Sequence, residues 1–397
     1  MTGKPIRQSK LFQPIKVGSF ELKHRVAHSP TTRLRADENN VPSDLQLKYY
    51  TDRTTKPGTL VVSEAAQITD NEYRYPNVPG IWNNDQVKAW KIITDAVHKN
   101  KSAIALQLWS LGRIADPEGM KERGFKPFAP SAIYESEEVK AKAEKVGNTI
   151  HEMTEDEIHH LVNHTYVNAA KNGLAAGFDF IEIHSANGYL LEQFINPCSN
   201  KRTDKYGGSI ENRTRLTLEV IDALIPIVGA DKLAVRFSPW STFQGMLAEN
   251  DEVHPIATFG YLASELQKRA DTGNELAYIS LVDGRFEPDG ERGVDNTFFK
   301  QIWKGKLLRG GNYTYDAENW ETVLSDMDDD RSIAGFGRLF ISNPDLPDRI
   351  ENEKELNPYD RSTFMVASTN KGYNTYSKLG ETIDVETESK MNAIALV

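Results

Sequence analysis

The sequence contains a single cysteine, Cys198, among its 397 residues. One thiol cannot form an intrachain disulfide, a cysteine-based zinc site or an iron–sulfur cluster held by four cysteines. The scarcity of cysteine therefore argues against proteins that depend on those groups, and it favours a reducing cytosol.

Long hydrophobic runs and an excess of positive charge are also missing. No run approaches the roughly 18 apolar residues of a membrane-spanning helix, and the N-terminus lacks the apolar core of a signal peptide. The net charge of −10 gives no general attraction for nucleic acid or for an anionic membrane. With 39% hydrophobic and 26% charged residues, the composition is that of a globular protein. We expect a soluble, cytoplasmic protein that binds neither nucleic acid nor membrane.

What the sequence does have is an eightfold alternation of short β-rich runs with amphipathic or capped helical segments. The predicted strands are residues 25–29, 59–63, 103–108, 178–183, 233–237, 276–281, 306–308 and 331–335. The predicted helices are residues 43–52, 85–100, 154–172, 209–228, 254–270, 296–304, 316–327 and 343–351. No G-x-G-x-x-G motif follows the first strand, so the alternation favours a closed (β/α)8 (TIM) barrel over an open doubly wound sheet. We expect one α/β barrel domain over residues 1–397.

Two segments do not belong to this alternation of strands and helices. Residues 112–151, between the third strand and its helix, are too long for an ordinary βα loop. At the C-terminal face of a barrel such an insertion would form a lid or cap, although a solvated surface decoration is equally compatible with the sequence. Residues 380–397 carry several acidic side chains and are expected to form a loosely held tail.

Polar side chains that could bind a ligand or take part in catalysis lie at or just after the ends of four predicted strands. Thr32 follows the first strand, Gln107 ends the third, His184 follows the fourth and Arg236 ends the fifth. The carboxyl ends of parallel barrel strands meet at one face, which is where barrel enzymes build their active sites. Each residue alone could serve a turn or the core. Their shared placement predicts a common cavity.

The stretch after the fourth strand carries the strongest signal. His184 and Asn187 are three residues apart and can face the same way in a helical turn. Their N–H groups could hold a carbonyl oxygen and stabilise negative charge that develops on it. Tyr189, brought round by Gly188, stays protonated near neutral pH and could protonate a carbanionic carbon. A structural histidine beside a turn is the alternative. No H-x-H or H-E-x-x-H spacing is present, so no metal is expected.

Glycine-containing loops follow the last two predicted strands. These are Arg309-Gly310-Gly311-Asn312 and Gly335-Phe336-Gly337-Arg338. Glycine lets backbone N–H groups approach an anion, and the guanidinium of Arg338 could pair with phosphate oxygens. Turn formation alone would explain one such loop, but their occurrence after both strands favours a phosphate site.

Several motifs in a fixed order resemble one enzyme family. They lie at residues 11–18, 32–35, 107–109, 184–194, 200–209 and 337–346. Together they resemble the old yellow enzymes, which are FMN-dependent ene-reductases, and most of all the fungal members. The resemblance covers nearly the whole chain.

This resemblance implies a non-covalently bound FMN, NADPH as the reductant, and activated alkenes or phenols as small-molecule ligands. It is also compatible with a homodimer. Thr32 would bind the flavin carbonyl beside N5, Gln107 and Arg236 the pyrimidine edge of the ring, and the two glycine loops the phosphate. The cofactor-binding residues implied are Pro30, Thr32, Ala65, Gln107, Arg236, Gly311, Asn312, Gly337 and Arg338. The residues implied to shape the substrate cavity are Tyr75, Trp109, Phe243 and Phe286.

The resemblance also assigns the catalytic set. His184 and Asn187 would hold the carbonyl or nitro oxygen of an activated alkene above the flavin. Tyr189 would protonate the α-carbon after hydride from flavin N5 reaches the β-carbon. The implied activity is NADPH-dependent reduction of the C=C bond in unsaturated aldehydes, ketones and nitroalkenes.

The chain departs from the family pattern at Glu64-Ala65, Val282-Asp283-Gly284-Arg285 and Phe364-Met365. These positions concern the rim of the pocket and hence substrate preference. The main alternative is a flavoprotein that binds phenols or steroids without physiological turnover. A related flavin barrel with an iron–sulfur cluster conflicts with the lone cysteine. A flavin-free barrel lyase or hydrolase predicts a colourless protein.

Overall fold

The computed structural model describes residues 5–284, 286–287, 290–291 and 293–397. Within these residues, eight parallel strands close into a barrel. The strands are β1 (Val26–His28), β2 (Leu60–Val62), β3 (Ala103–Trp109), β4 (Phe180–His184), β5 (Leu233–Phe237), β6 (Tyr278–Val282), β7 (Leu307–Gly310) and β8 (Ser332–Phe336). The barrel closes where β8 pairs with β1, with Ala334 in register with Val26. All eight predicted strands are confirmed, and their observed ends differ from the prediction by at most two residues.

The strands are buried on both faces, as parallel strands covered by helices must be. Alternate residues separate into two layers of the core. One layer, which includes Ala105, Phe180 and Tyr278, packs together with the N-terminal hairpin of Ile15–Val17 and Phe20–Leu22. The other layer, which includes Leu106, packs with the apolar faces of the surrounding helices. This division holds the strand ends rigid, and the site is built on those ends.

Helical segments follow every strand, and one after each strand is labelled in chain order. The segments are α1 (Asp44–Asp52), α2 (Asn84–Lys99), α3 (Glu155–His160, Leu161–Tyr166 and Val167–Ala175), α4 (Ile210–Val228), α5 (Pro255–Asp271), α6 (Thr297–Ile302), α7 (Glu321–Asp326) and α8 (Leu346–Glu351). Leu161–Tyr166 is a π-helical turn inside α3. The capping box expected at Thr154 and Glu157 is present at the start of α3. It satisfies backbone N–H groups that would otherwise lack partners.

Two helix predictions were wrong at their starts. The helix expected over 316–327 is a 3-10 turn at Tyr313–Asp316 followed by α7, because the left-handed backbone of Trp320, with φ of 59°, interrupts it. The helix expected from Asn343 begins only at Leu346. Pro344 excludes helical backbone at the residue before it, and Asn343 is extended.

The insertion after β3 is folded against the barrel. It contains a turn at Gly112–Ile114, a helix at Pro117–Glu122 and a second helix at Glu137–Val146. Phe128–Ala129 pairs with His151–Glu152 in a short parallel sheet. Whether the insertion moves as a lid, and whether residues 1–397 form one domain, stay predictions.

The C-terminal tail has specific contacts at its end. The N–H of Asp44 donates to the carbonyl of Ile394 at 2.9 Å, and the N–H of Leu396 donates to the carbonyl of Pro42 at 3.1 Å. Residues between 380 and 390 are mostly exposed. The loosely held tail stays a prediction for that stretch, while the last residues are tied to the start of α1.

In the described part of the chain, the search for a helix with the length and apolarity to span a bilayer finds none.

Candidate active site

Two adjoining cavities open at the carboxyl ends of the barrel strands. The large cavity has a volume of about 710 Å³ and the small cavity about 210 Å³. The residues that line both are Pro30, Thr32, Arg236, Phe243 and Met365. Because their walls are shared, the two cavities form one chamber, of the size that small-molecule ligands occupy.

The small cavity brings together the predicted catalytic residues. His184 ends β4, and Asn187 and Tyr189 follow in the next turn. All three line the small cavity. The rings of His184 and Tyr189 are edge to face with their centroids 5.1 Å apart. The turn depends on left-handed backbone at Asn187, with φ of 55°, and at Gly188, with φ of 76°. Gly188 therefore turns the chain and brings the tyrosine back to the cavity.

His184 is held as a neutral imidazole. Burial, and then the charge of Arg236, lower the pKa of His184 to about 3. The N–H of Ala186 donates to its Nδ1 at 3.3 Å, so the ring proton resides on Nε2. A neutral ring with an Nε2–H group is a hydrogen-bond donor that carries no charge.

Tyr189 is a protonated phenol at neutral pH. Burial, and then Tyr75, raise the pKa of Tyr189 well above its usual value. Trp109 packs edge to face on its ring, with the centroids 5.0 Å apart. A phenol held in this way can give up its proton only to a strongly basic acceptor, such as a carbanion.

A polar cluster on neighbouring strands forms the floor where the two cavities meet. Gln107 Nε2 donates to Glu182 Oε1 at 2.7 Å, and Arg236 Nη1 donates to Ser280 Oγ at 3.4 Å. Arg236 Nε is buried and has no hydrogen-bond partner among the residues that the structure describes. Buried polar atoms are rarely left without a partner, so this N–H is suited to a ligand.

The large cavity receives the loops after β7 and β8. Asn312, Gly337 and Arg338, for which the sequence predicts phosphate binding, line it. Gly311 does not; Gly310 lines the cavity instead. A Cβ at Gly311 would lie 2.5 Å from the ring of Tyr313, so this glycine is required for packing against that ring. A Cβ at Gly337 would meet only Thr31, at 3.4 Å, because the rest of its surroundings is open space.

Three of the four predicted substrate residues line the small cavity. They are Tyr75, Trp109 and Phe243, and the side chain of Phe243 is 61% exposed at the rim. The side chain of Phe286 lies outside the described residues. The small cavity is also lined by five of the residues predicted to bind the cofactor, namely Pro30, Thr32, Ala65, Gln107 and Arg236.

One wall of the chamber was missed from the sequence. Arg361, Ser362, Phe364 and Met365 line the large cavity, and Met365 lines both. Buried Arg33 holds this segment from the loop after β1, donating from Nε to the carbonyl of Phe364 at 2.8 Å. The only signal in the sequence was the departure from the family pattern at Met365.

These features fit a flavin nucleotide. The chamber has the volume of a ligand site, Arg236 offers an unpartnered buried N–H, and Gly337 leaves open space beside Arg338. In the part of the chain that the structure describes, no cluster of three or more His, Cys, Asp or Glu side chains could hold a metal ion.

Comparisons with known proteins agree with this geometry. The model of the NADH:flavin oxidoreductase / NADH oxidase family matches residues 10–357. A probable NADPH dehydrogenase of Candida albicans is 49% identical over 381 residues, which are 94% of this chain and 92% of the relative. Enoate reductase 1 of Kluyveromyces lactis is 43% identical over 390 residues, 96% of each chain.

Among solved structures, Old Yellow Enzyme from Pichia sp. AKU4542 superposes with a TM-score of 0.94 at 47% identity, covering 99% of this chain and 100% of that one. The chain belongs to the NADH:flavin oxidoreductase / NADH oxidase family and is an FMN-dependent oxidoreductase of the old yellow enzyme type.

Proposed function

We propose that this protein uses NADPH to reduce the C=C bond of activated alkenes, namely α,β-unsaturated aldehydes, ketones and nitroalkenes. The convergence of His184, Asn187 and Tyr189 on the small cavity, which is one part of the chamber, carries the proposal. The names of two relatives, an NADPH dehydrogenase and an enoate reductase, support the choice of reductant and of substrate class.

The chain's own residues would hold the cofactor along the chamber. Thr32, Gln107 and Arg236 line the small cavity, where the ring would lie. Asn312, Gly337 and Arg338 line the large cavity but not the small one, and the phosphate would lie beside them. Bound FMN would accept hydride from NADPH and then supply it from N5 to the β-carbon of the alkene.

Two donors would hold the substrate oxygen. The Nε2–H of His184 and the side-chain amide of Asn187 would bind the carbonyl or nitro oxygen and stabilise the negative charge that develops on it. Because His184 is neutral, it would bind this oxygen without transferring its own proton. The α-carbon proton must therefore come from another group.

Tyr189 would supply that proton. It lines the same cavity as His184 and remains protonated because its pKa is raised. A ligand that is only bound needs the two N–H donors and no acid. The presence of Tyr189 beside them therefore favours turnover over binding alone.

A visible spectrum of the purified protein, followed by anaerobic additions, tests the proposal. Flavin absorbance should bleach on addition of NADPH and return on addition of cyclohexenone. Protein without flavin absorbance would contradict the cofactor assignment. A flavin that bleaches but is not reoxidised by any activated alkene would contradict the reductase and favour the phenol- or steroid-binding alternative.

A further inference from the structure

Beneath the turn that carries Asn187 and Tyr189 lies a buried carboxyl group with no role in the chemistry above. Glu192 is 1% exposed and lies in the short helix Leu190–Ile195. One of its oxygens accepts the N–H of Gly188. The other accepts the hydroxyl of Ser238, which follows β5, at 2.9 Å. Ser238 Oγ in turn accepts the N–H of Asn187 at 2.7 Å.

The Glu192 side chain thus binds the N–H groups of two successive residues, that of Gly188 directly and that of Asn187 through the Ser238 hydroxyl. Both residues have left-handed backbone. Consecutive N–H groups in a turn of this kind point toward a common anion. A non-glycine residue adopts left-handed backbone only at a cost in energy, which the contacts around it must offset. At Asn187 the hydrogen bond to Ser238, which in turn donates to Glu192, is placed to do so.

Three neighbours of Glu192 oppose part of the effect of burial on its carboxyl group, and the neutral form is still favoured below pH 8. Burial raises the pKa of Glu192 to about 8, and the Gly188 N–H, the Ser238 hydroxyl and the Arg113 guanidinium oppose that rise. Arg113 is itself buried and donates to the carbonyls of Gln244 and Gly245, in the loop that packs over the turn. Above pH 8 the carboxylate can accept both hydrogen bonds at once.

We propose that Glu192 is a positioning residue that, with Ser238, fixes the turn so that the Asn187 amide and the Tyr189 hydroxyl face one bound substrate oxygen and carbon. This positioning role rests on the proposed function, because it concerns the orientation of the two groups that would bind and protonate the alkene. Neither Glu192 nor Ser238 lines the small cavity. Their effect is transmitted through the backbone of the turn.

Three variants test it: Glu192→Gln, Ser238→Ala and Asp345→Asn. The amide introduced by Glu192→Gln could accept only one of the two hydrogen bonds, while Ser238→Ala keeps the carboxylate and removes the link to Asn187. Asp345 is the matched control. Its buried carboxylate accepts one hydrogen bond from the Arg349 side chain and one from the backbone N–H of Leu379. It lines neither cavity.

The holoenzymes would be compared above pH 8 by titration with p-chlorophenol and by anaerobic reoxidation with cyclohexenone. Reoxidation of the reduced flavin by dioxygen is the internal control, because it requires no hydrogen bonds to a carbonyl oxygen. We expect Glu192→Gln and Ser238→Ala to weaken phenol binding about tenfold, which is about 1.4 kcal/mol. Alkene reoxidation should slow by at least as much, with dioxygen reoxidation unchanged.

The melting temperature and FMN content of each variant separate positioning from folding. If Glu192→Gln fails to fold, Ser238→Ala decides. The positioning role would be overturned if Glu192→Gln and Ser238→Ala both bound the phenol and reacted with the alkene as well as Asp345→Asn does. Wild-type protein that neither binds the phenol nor reacts with the alkene would instead overturn the proposed function.

Discussion

Arg236 and His184 are register partners on adjacent strands, β5 and β4, and both side chains line the small cavity. The guanidinium adds to burial in disfavouring a charged imidazole. The strand pairing that forms the barrel therefore also sets the protonation state of the residue proposed to hold the substrate oxygen.

We expect His184 to stay neutral, with its proton on Nε2, down to pH 5. The pKa of His184 is lowered to about 3, and the N–H of Ala186 occupies Nδ1. Nitrogen NMR of histidine-labelled protein would measure both properties, with His184→Asn identifying the resonance. A midpoint near 6.5, or a proton on Nδ1, would contradict the assignment.

The same depressed pKa values predict how stability depends on pH. Burial first lowers the pKa of His24, His28 and His184, each to about 3. The unfolded chain takes up protons at these residues below about pH 6.5, whereas the folded chain does not until about pH 3. The contribution of these residues to the free energy of unfolding should fall as the pH falls through this window. Replacing His24 by Gln should flatten the loss, measured by urea unfolding at a series of pH values.

Replacing Tyr189 by Phe should slow reoxidation by cyclohexenone by about 10²-fold or more, the usual contribution of a positioned acid. Reduction of the flavin by NADPH needs no proton from this residue and should change little. Stopped-flow absorbance of the two half-reactions gives the comparison. Tyr261→Phe, on α5 and outside both cavities, is the control. Equal losses in both half-reactions would remove Tyr189 from its assigned role.

Replacing Arg338 by Ala should weaken binding of FMN about ten- to a hundredfold, because a hydrogen bond to a charged group contributes about 1.5–3 kcal/mol. Riboflavin, which lacks the phosphate, should bind the variant and the wild type alike. Fluorescence titration of apoprotein with each ligand measures the difference. A similar loss for riboflavin would place Arg338 outside the phosphate site.

A methyl group at Gly337 should discriminate between the same two ligands. Because a Cβ there meets only Thr31, at 3.4 Å, Gly337→Ala should leave the melting temperature of the apoprotein unchanged and weaken FMN more than riboflavin. Gly335→Ala is the contrasting variant, since its Cβ would lie 2.4 Å from Ser29 Oγ, and it should lower the melting temperature. Unchanged FMN affinity in Gly337→Ala would contradict the placement of the phosphate.

The strands and the turn after β4 could be predicted because their signals are local. Each barrel strand is a short apolar run, and His184, Asn187 and Tyr189 lie within six residues of one another. The start of α7 could not be predicted, because nothing in the sequence indicates the left-handed backbone conformation of Trp320. Gly310 and Gly311 are adjacent, and nothing in the sequence shows that Gly311 packs on the Tyr313 ring while Gly310 lines the chamber. The wall at Met365 depends on contacts between residues far apart in the chain, which have no local pattern.

The bond from Arg33 to Phe364 joins residues 331 positions apart, and it brings up the segment that closes one side of the chamber. A ribosome must therefore synthesise nearly all of the chain before this side can close. A nascent barrel that already has all eight strands would still leave its ligand open to solvent on that side. Stable retention of the flavin should accordingly begin only when translation is almost complete.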